Sequence, residues 1–297
     1  MKLDRSRFMK AREFVYANAR LLDRRRFEYH FEQGKAHPVL DALRAYQNSD
    51  GGFGSALEPD IRTPCSQPVA VECALAVLDE IGVADPGILR GIRTYLGQAE
   101  REGGGFPRAA IDVNDYPHAP WWDTTDDNAG SLNPTGRILG LLYKLKAVSD
   151  DGEDGGWMNR NADFVWSRIS LADKTDYHDV IQCIMFLEYV PDRQRAEAEL
   201  KKVDEWLRKP GTIELDPDAS GYVHKVLDWA PSPESYAKKW ISDEAVGRHL
   251  DVLIGQQQED GGWGMSFPAL SRGNEAEWRG LITVDRLLTL KAYGRLE

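Results

Sequence analysis

The chain has 297 residues, of which 42% are hydrophobic, and 37 Lys and Arg residues against 48 Asp and Glu residues give it a net charge of −11. This length can bury a sizeable core, whereas the acidic balance argues against a nucleic-acid partner, which would need a basic surface. No segment approaches the roughly 18 to 20 consecutive apolar residues of a membrane span, so we expect no transmembrane segment.

The first predicted helical hairpin begins at residue 66. Ser66-Gln67-Pro68 is a helix-start signal, the apolar periodicity continues to Ile81, and a glycine then ends the helix. Asp85-Pro86 starts a second helix that continues through Leu96. Because long alternation of β-branched residues is absent, we expect an all-α protein with few strands. The same signals predict further helices over residues 133–147, 176–190, 192–208, 243–257 and 275–293.

A glycine motif recurs at the ends of these hairpins. Residues 47–54 and 257–264 both read Gln-x-x-Asp-Gly-Gly-aromatic-Gly, degenerate Gly-Gly-aromatic copies stand at 104–106 and 155–157, and an eroded copy is expected at 206–211. A period of about 50 residues is the signature of repeated supersecondary units. The phase is unbroken and no Ser/Gly-rich linker interrupts it, which predicts a single domain over residues 1–297. The motif itself is interpreted as scaffold, because its Gln can satisfy helix-end backbone groups and its glycines permit a tight turn.

The two helices of each hairpin differ in composition. The first helices are more apolar, as in residues 181–190, whereas the second helices are mostly charged, as in residues 193–205. An apolar helix is typically buried and a one-sided helix faces solvent. The pattern therefore predicts an α/α toroid of five to six hairpins with inner and outer helix rings, and an open solenoid is the alternative.

The two full motifs resemble the repeat of squalene and oxidosqualene cyclases, and related Gly-Gly-Phe loops occur in protein prenyltransferase β subunits. The blocks at 56–60, 118–122 and 277–280 also resemble segments of bacterial prenyltransferase-like proteins. The resemblance implies an α/α toroid and an isoprenoid-like ligand. It concerns the fold more than the function, because one fold hosts many functions.

A candidate acid lies in residues 121–129. The segment resembles the Asp-x-Asp-Asp-Thr-Ala motif of class II terpene cyclases, with Asp126 at the position of the proton donor and Asp127 after it. Thr124 and Asn128 depart from that motif. Protonating an alkene needs a strong acid in a dry site, whereas Gly130 and Pro134 place this segment in a loop ahead of a helix. A solvated acidic loop is the alternative.

Polar and aromatic residues before or within the inner helices form the candidate binding set. In a toroid these loops surround one mouth of the cavity, and convergent polar groups there mark a binding site. The alternative is that they fix loops through ion pairs, such as Glu58 or Asp60 with Arg62. The candidates are Glu58, Asp60, Arg62, His118, Trp121, Trp122, His178, Tyr222, His224, Trp278 and Arg279.

No metal or other cofactor is expected. Residues 150–154 match the Asp-Asp-x-x-Asp motif of class I terpene synthases, but the surrounding glycines predict a polar turn. A weak calcium loop there is an open alternative. Asp176 to Asp179 resemble the histidine region of zinc-dependent prenyltransferases without the other ligand spacings. The three cysteines form no Cys-x-x-Cys pair and the first ten residues lack an apolar run, so a cytoplasmic protein is expected.

The sequence thus favours an isoprenoid-binding protein, and any catalysis is expected to be metal-independent cyclisation with Asp126 as proton donor. The alternatives are a carbohydrate-active toroid that uses carboxylates such as Glu58 or Asp60, and a non-enzymatic binding scaffold. The lining of the cavity distinguishes the three. An apolar pocket favours isoprenoids, an open acidic groove favours sugars, and a filled centre favours a scaffold.

Overall fold

The computed structural model describes residues 1–147, 153–172, 176–221 and 223–297, with the side chains of 153–155 left out. In these ranges the chain is helical, with isolated β-bridges in place of strands, which confirms the all-α prediction. The α-helices are α1 (Arg5–Asn18), α2 (Leu21–Phe31), α3 (Ala36–Arg44), α4 (Pro68–Glu80), α5 (Pro86–Ala99), α6 (Leu132–Lys144), α7 (Glu153–Ile169), α8 (Tyr177–Tyr189), α9 (Arg193–Leu207), α10 (Val226–Trp229), α11 (Asp243–Gly255) and α12 (Arg272–Ala292).

Local capping explains where several helices begin. The Asp85 side chain accepts a hydrogen bond from the Ile88 backbone at 2.8 Å and caps α5, which opens with Pro86. Asp176 caps α8 by accepting from the backbone of His178 at 2.8 Å. Each bond satisfies one of the free N–H groups of a first helical turn. These caps lie where the sequence predicted them, and the predicted helices agree with the observed bounds to within about three residues.

The chain forms two compact units. One comprises residues 1–35 and 204–297, and the other comprises residues 36–203. The division falls near the end of α9, which begins in the second set of residues. The single-domain organisation of residues 1–297 stays a prediction.

Within residues 36–203, α6 packs between α4 and α8. Arg137 of α6 pairs with Glu72 of α4, and Lys144 pairs with Asp79 in the same way, with a separation of 65 residues in each pair. Equal separations at two points along a helix mean that α4 and α6 run parallel and in register. A Cβ at Gly136 would lie 2.8 Å from the carbonyl oxygen of Gln182, so glycine lets α6 approach α8 closely.

The first motif connects two helices of the next hairpin. The Gln47 side chain donates to the carbonyl of Gly51 at 3.0 Å and to that of Ile88 in α5 at 3.3 Å. Gly51 has a φ of 89° and lies against Gly91 of α5, where a Cβ would collide with the Gly91 carbonyl oxygen. The motif is therefore a clasp between its own loop and α5, the second helix of the following hairpin, as the scaffold interpretation predicts.

The last motif makes the same clasp with the first helix of the chain. The Gln257 side chain donates to the carbonyls of Gly261 at 2.8 Å and of Arg7 in α1 at 2.9 Å. Gly261 lies against Lys10 of α1 as Gly51 lies against α5. The backbone of Trp263 meanwhile donates to Thr283 of α12 at 3.2 Å. α1 thus supplies the second helix of the hairpin that α12 begins.

The degenerate copies have different outcomes. At 104–106, Gly105 donates to Asn161 of α7 at 2.8 Å and Phe106 to Thr135 of α6 at 2.9 Å, which is again a clasp. The copy predicted at 155–157 is wrong, because these residues lie inside α7. Trp157 instead stacks on Phe106 with ring centroids 5.9 Å apart. The eroded copy at 206–211 forms the end of α9 and a turn.

The acidic segment at 150–154 falls at the edge of the described chain. Residues 150–152 lie outside the described residues, so the predicted turn and the calcium alternative stay untested there. Glu153 and Asp154 belong to the first turn of α7. The backbone at these two positions is therefore helical and not a turn.

Candidate functional site

A chain of three polar side chains crosses the apolar helices α4, α6 and α8. Arg137 Nη1 donates to Glu72 Oε1 at 2.9 Å, and the Gln182 amide donates to Glu72 Oε2 at 3.3 Å. Gln182 also accepts from the backbone N–H of Arg137 at 2.6 Å. The Glu72 carboxylate is 11% exposed and the Arg137 side chain 36% exposed. The group therefore has a buried acid and a cation that reaches water.

The same arrangement recurs seven residues further along each helix. Lys144 of α6 pairs with Asp79 of α4 at 2.8 Å, and its ammonium lies 5.2 Å from the ring centre of Tyr189 on α8. Two helical turns are spanned by seven residues, so both groups lie on one face of each helix. The three helices therefore carry two polar triads in register, Glu72-Arg137-Gln182 and Asp79-Lys144-Tyr189.

Both cations are held in their charged form by these partners. Burial is the largest influence on the pKa of Arg137 and acts to lower it, but the charges of Glu72, Cys73 and Tyr177 and the Glu72 hydrogen bond raise the pKa overall. Burial likewise opposes the charge of Lys144, and the bond to Asp79 leads the influences that raise its pKa. Ion pairing therefore wins over desolvation at both positions.

Partly exposed apolar side chains lie beside the triads on α8. Tyr177, Ile181, Met185 and Tyr189 recur every four residues in a helix whose other apolar residues are buried. His178, a predicted site residue, is exposed at the start of this helix and meets the Tyr177 ring edge-on at 5.4 Å. On α4, the thiol of Cys73 lies 3.8 Å from Oε2 of the predicted Glu58. Glu58 and His178 thus belong to the helices and loop that carry the first triad.

The predicted acid lies in an exposed loop. Asp126 accepts from the backbone of Asn128 at 2.8 Å and from its side-chain amide at 2.6 Å. Asp127 is paired with Arg101 at 3.1 Å and also accepts from the backbone of Ile111. The carboxylate of Asp126 is exposed, which confirms the loop placement but is the opposite of the dry site that an alkene-protonating acid needs.

Two predicted blocks are brought together by backbone pairing. Arg62 N donates to the Pro117 carbonyl at 3.0 Å, and Ala119 N donates to the Asp60 carbonyl at 3.0 Å. Asp60 is buried at this junction. The loops that carry Glu58, Asp60 and Arg62 on one side and His118 on the other are thus one structural unit.

The two tryptophans of this unit have different surroundings. Trp122 is buried with the side chains of Ile61, Val69, Ala109, Val113 and Ala119. The guanidinium of Arg108 lies over its ring at 5.3 Å. Trp121 is 41% exposed. Trp122 therefore helps to form a small core under the loop, and only Trp121 offers a large aromatic surface to a ligand.

His118 lies between two oxygen acceptors. Nδ1 is 2.6 Å from the Tyr116 carbonyl and Nε2 is 2.7 Å from Asp123 Oδ1. Only the imidazolium can donate to both. The Tyr116 carbonyl is the largest influence and raises the pKa of His118, burial opposes it, and the Asp123 carboxylate raises it further. Protonated His118 thus links residues 116 and 123 through two hydrogen bonds.

The remaining predicted residues lie in the unit formed by 1–35 and 204–297. Arg279 donates to Gln258 at 2.5 Å and to Asp260 at 2.8 Å, and it lies over the Phe14 ring at 4.6 Å. It therefore reinforces the last clasp. Trp278 meets the Phe267 ring edge-on at 5.2 Å, and the backbone carbonyl of His224 accepts from Glu214 at 3.0 Å. Tyr222 lies outside the described residues.

Two surface depressions lie away from the triads. One of about 490 Å³ includes Arg101 and Arg160, and one of about 540 Å³ includes Gln258 and Arg279. Both are open to solvent and neither contains a residue of the triads. In the part of the chain that the structure describes, no group of three or more His, Cys, Asp or Glu side chains could hold a metal ion.

Arg137 and Gln182 were missed as candidates from the sequence. Each is a long polar residue inside an otherwise apolar helix, within residues 134–142 and 180–187 respectively. A charge on an apolar, largely buried helix is costly without a partner. That mismatch is the signal that could have identified Arg137, although not its partner 65 residues away.

Comparison of the chain with protein-family models, with curated proteins and with solved structures finds no match in any of the three. Among the described helices, none is long and apolar enough to cross a membrane. The geometry of α4, α6 and α8 is therefore the basis on which a function is proposed.

Proposed function

We propose that the chain is an α/α toroid whose inner helices include α4, α6 and α8, and that these helices line a cavity that binds an isoprenoid-like small molecule. The observation that carries this proposal is the stripe of Tyr177, Ile181, Met185 and Tyr189 on α8. Apolar and aromatic side chains that stay partly exposed on an otherwise buried helix are the lining that an apolar ligand requires. Loss of water from this surface on binding would favour the complex.

The repeated clasps support the toroid. Each joins the loop before an inner helix to the outer helix of the same hairpin, as in α4 with α5, α6 with α7 and α12 with α1. Parallel inner helices in register are the expected product of such a repeat. Five to six hairpins of this kind would complete two rings.

The proposed activity is binding, without cyclisation at Asp126. The Asp126 carboxylate is exposed in a loop and accepts two hydrogen bonds from Asn128, so it does not lie in a dry site. A proton donor for an alkene would need the reverse. We expect Asp126→Asn to leave ligand affinity unchanged, and cyclisation of a linear isoprenoid by the wild-type protein that this substitution abolishes would restore the catalytic assignment.

A carbohydrate ligand is the second candidate. The observation in its favour is that two polar triads, Glu72-Arg137-Gln182 and Asp79-Lys144-Tyr189, lie on the same helices as the apolar stripe. Sugars are bound by such groups together with aromatic faces. A soluble oligosaccharide that binds in preference to an isoprenoid would favour this candidate.

Titration calorimetry tests the proposal with farnesol, a C15 isoprenoid alcohol, against maltohexaose. We expect saturable binding of farnesol, weakened at least about tenfold by Ile181→Asp, which would place a charge on the stripe. Leu171→Asp is the matched control, because Leu171 is 72% exposed and lies outside the stripe. Equal loss in both variants, or binding of maltohexaose alone, would contradict the proposal.

A further inference from the structure

The guanidinium of Arg137 makes its hydrogen bond to Glu72 through one of its three nitrogens. Nη1 donates to Glu72, and Nε and Nη2 donate to no other group among the described residues. The side chain is 36% exposed, and neither of these two donors is among the buried side-chain atoms that lack a partner, so both reach solvent. Nε–H and Nη2–H point in parallel and form the fork that matches the two oxygens of a carboxylate.

We propose that Arg137 binds the carboxylate of an amphipathic ligand whose apolar part lies along the stripe on α8. This assignment rests on the proposed function and names the polar end of its ligand. Arg137 lies on α6 and bonds through its backbone N–H to Gln182 of α8. Ile181 directly precedes Gln182, and Tyr177 of the stripe is among the groups whose charge acts on the Arg137 guanidinium, so the cation and the stripe are adjacent. The ligand class is therefore an isoprenoid or similar branched-chain acid.

The charges around Arg137 favour a monoanion. Glu72 already neutralises one side of the guanidinium at 2.9 Å, and the chain carries a net charge of −11. Both repel a dianionic phosphate ester more than a carboxylate with one charge. The planar fork also fits a planar head better than a tetrahedral one.

The other triad does not offer the same site. The ammonium of Lys144 is held by Asp79 at 2.8 Å and lies over the Tyr189 ring, and it has no planar fork. It is nevertheless similar to Arg137 in exposure, at 35%, and in register on α6. Lys144 is therefore the matched control for Arg137.

The experiment compares three C15 probes of equal chain length, namely farnesoic acid, farnesol and farnesyl monophosphate. We expect the wild-type protein to bind the acid about 10- to 100-fold more tightly than the alcohol, the range for hydrogen bonds to a charged group. Arg137→Gln should abolish this preference while farnesol affinity stays within about twofold, and Lys144→Gln should keep the preference. Arg137→Lys keeps the charge next to Glu72 but loses the fork, and should retain only part of the preference even if Arg137→Gln fails to fold.

Several results would overturn the assignment, and they separate it from the proposed function. Equal binding of acid and alcohol would contradict the carboxylate site and would still agree with an isoprenoid-binding protein. Tighter binding of the monophosphate than of the acid would overturn the preference for a monoanion. An equal loss of the acid preference in Lys144→Gln would show a general effect of positive charge and would overturn the assignment to Arg137. Failure of all three probes to bind overturns the proposed function, and the carboxylate site fails with it.

Discussion

Arg137 on α6 donates to Glu72 on α4 across 65 residues of sequence, and this pair fixes the register of two parallel helices. The second pair, Lys144 with Asp79, repeats the register two turns later. Glu72 is the more deeply buried of the two acids, with 11% of its side chain exposed against 23% for Asp79. Its carboxylate also accepts a hydrogen bond from Gln182. The two pairs therefore differ in burial while sharing geometry.

This difference predicts unequal contributions to stability. Glu72→Ala leaves the Arg137 guanidinium without its acceptor and removes one of the two acceptors of the Gln182 amide. We expect it to lower the free energy of unfolding by about 2–3 kcal/mol. Asp79→Ala, in the more exposed pair, should lower it by less than about 1 kcal/mol. Urea denaturation followed by circular dichroism measures both, and equal effects would contradict the assigned burial.

The clasp glutamines predict a second contrast. Gln257 makes two hydrogen bonds to backbone carbonyls and accepts one from the Arg7 side chain. Because Gln257→Leu would leave these partly buried groups unsatisfied, it should cost about 2 kcal/mol. Its exposed neighbour Gln256 is the control, and Gln256→Leu should change the free energy of unfolding by less than about 0.5 kcal/mol. A neutral Gln257→Leu would mean that the clasp does not stabilise α1.

Two loop glycines, Gly51 of the first motif and Gly103 just before the copy at 104–106, allow backbone strain to be distinguished from a steric clash. Gly51 and Gly103 have φ values of 89° and 85°, so alanine at either is strained, at about 1 kcal/mol. Only at Gly51 does the new Cβ also meet the backbone of Gly91, whereas nothing lies within 4 Å of a Cβ at Gly103. The melting temperature should therefore fall much further in Gly51→Ala than in Gly103→Ala. Equal falls would show that the close approach to α5 is absent.

His118 predicts a pH dependence of stability. Its raised pKa means that the folded protein binds the proton more tightly than the unfolded chain. The stabilisation is therefore fully present below the unfolded pKa of about 6.5 and is lost as pH rises through the folded value. The loss of stability in His118→Gln, from urea denaturation of variant and wild type, should be larger at pH 5.5 than at pH 9.

The pH dependence of wild-type stability alone would not isolate the contribution of His118. Burial is the largest influence on His249 and lowers its pKa, so the contribution of His249 is present above about pH 6.5 and lost as pH falls. Asp123→Asn is the companion variant for His118, because it removes the negative charge 2.7 Å from Nε2 and should reduce the pH dependence. A variant effect of His118→Gln that is the same at both pH values would contradict the imidazolium assignment.

Local signals in the sequence predicted α4, α5, α6, α8, α9, α11 and α12, whereas no bounds were predicted for α1, α2, α3, α7 and α10. Asp85 and Asp176 are caps that depend only on residues two or three positions away, so they can be identified without tertiary information. The Gly-Gly-aromatic triplet at 155–157 shows the limit of such signals. The Gly-Gly-aromatic pattern forms a loop at 104–106 and part of helix α7 at 155–157, where Trp157 stacks on Phe106. The triplet alone therefore does not specify the backbone conformation.

The candidate site was less accessible to sequence reasoning. The partner of Arg137 is 65 residues away, and its identity follows only from the parallel packing of α4 and α6. Arg279 was predicted to bind substrate, and its contacts with Gln258 and Asp260 lie at a clasp, so the binding role stays a prediction. A single sequence shows which side chains are polar, whereas the contacts that they make depend on which helices become neighbours.

Cysteine alkylation tests the central claim most directly, since the chain has three free thiols in different surroundings. Cys73 is partly exposed on α4 next to Glu72, Cys65 is exposed in the preceding loop, and Cys183 is buried in α8. Mass spectrometry of the wild-type protein with N-ethylmaleimide gives the rate at each thiol with and without farnesoic acid. We expect the ligand to slow alkylation of Cys73 at least about fivefold, the range for a site mostly occupied, and to leave the rate at Cys65 unchanged. An unchanged rate at Cys73 under saturating ligand, or equal slowing at both thiols, would contradict a binding cavity lined by the inner helices.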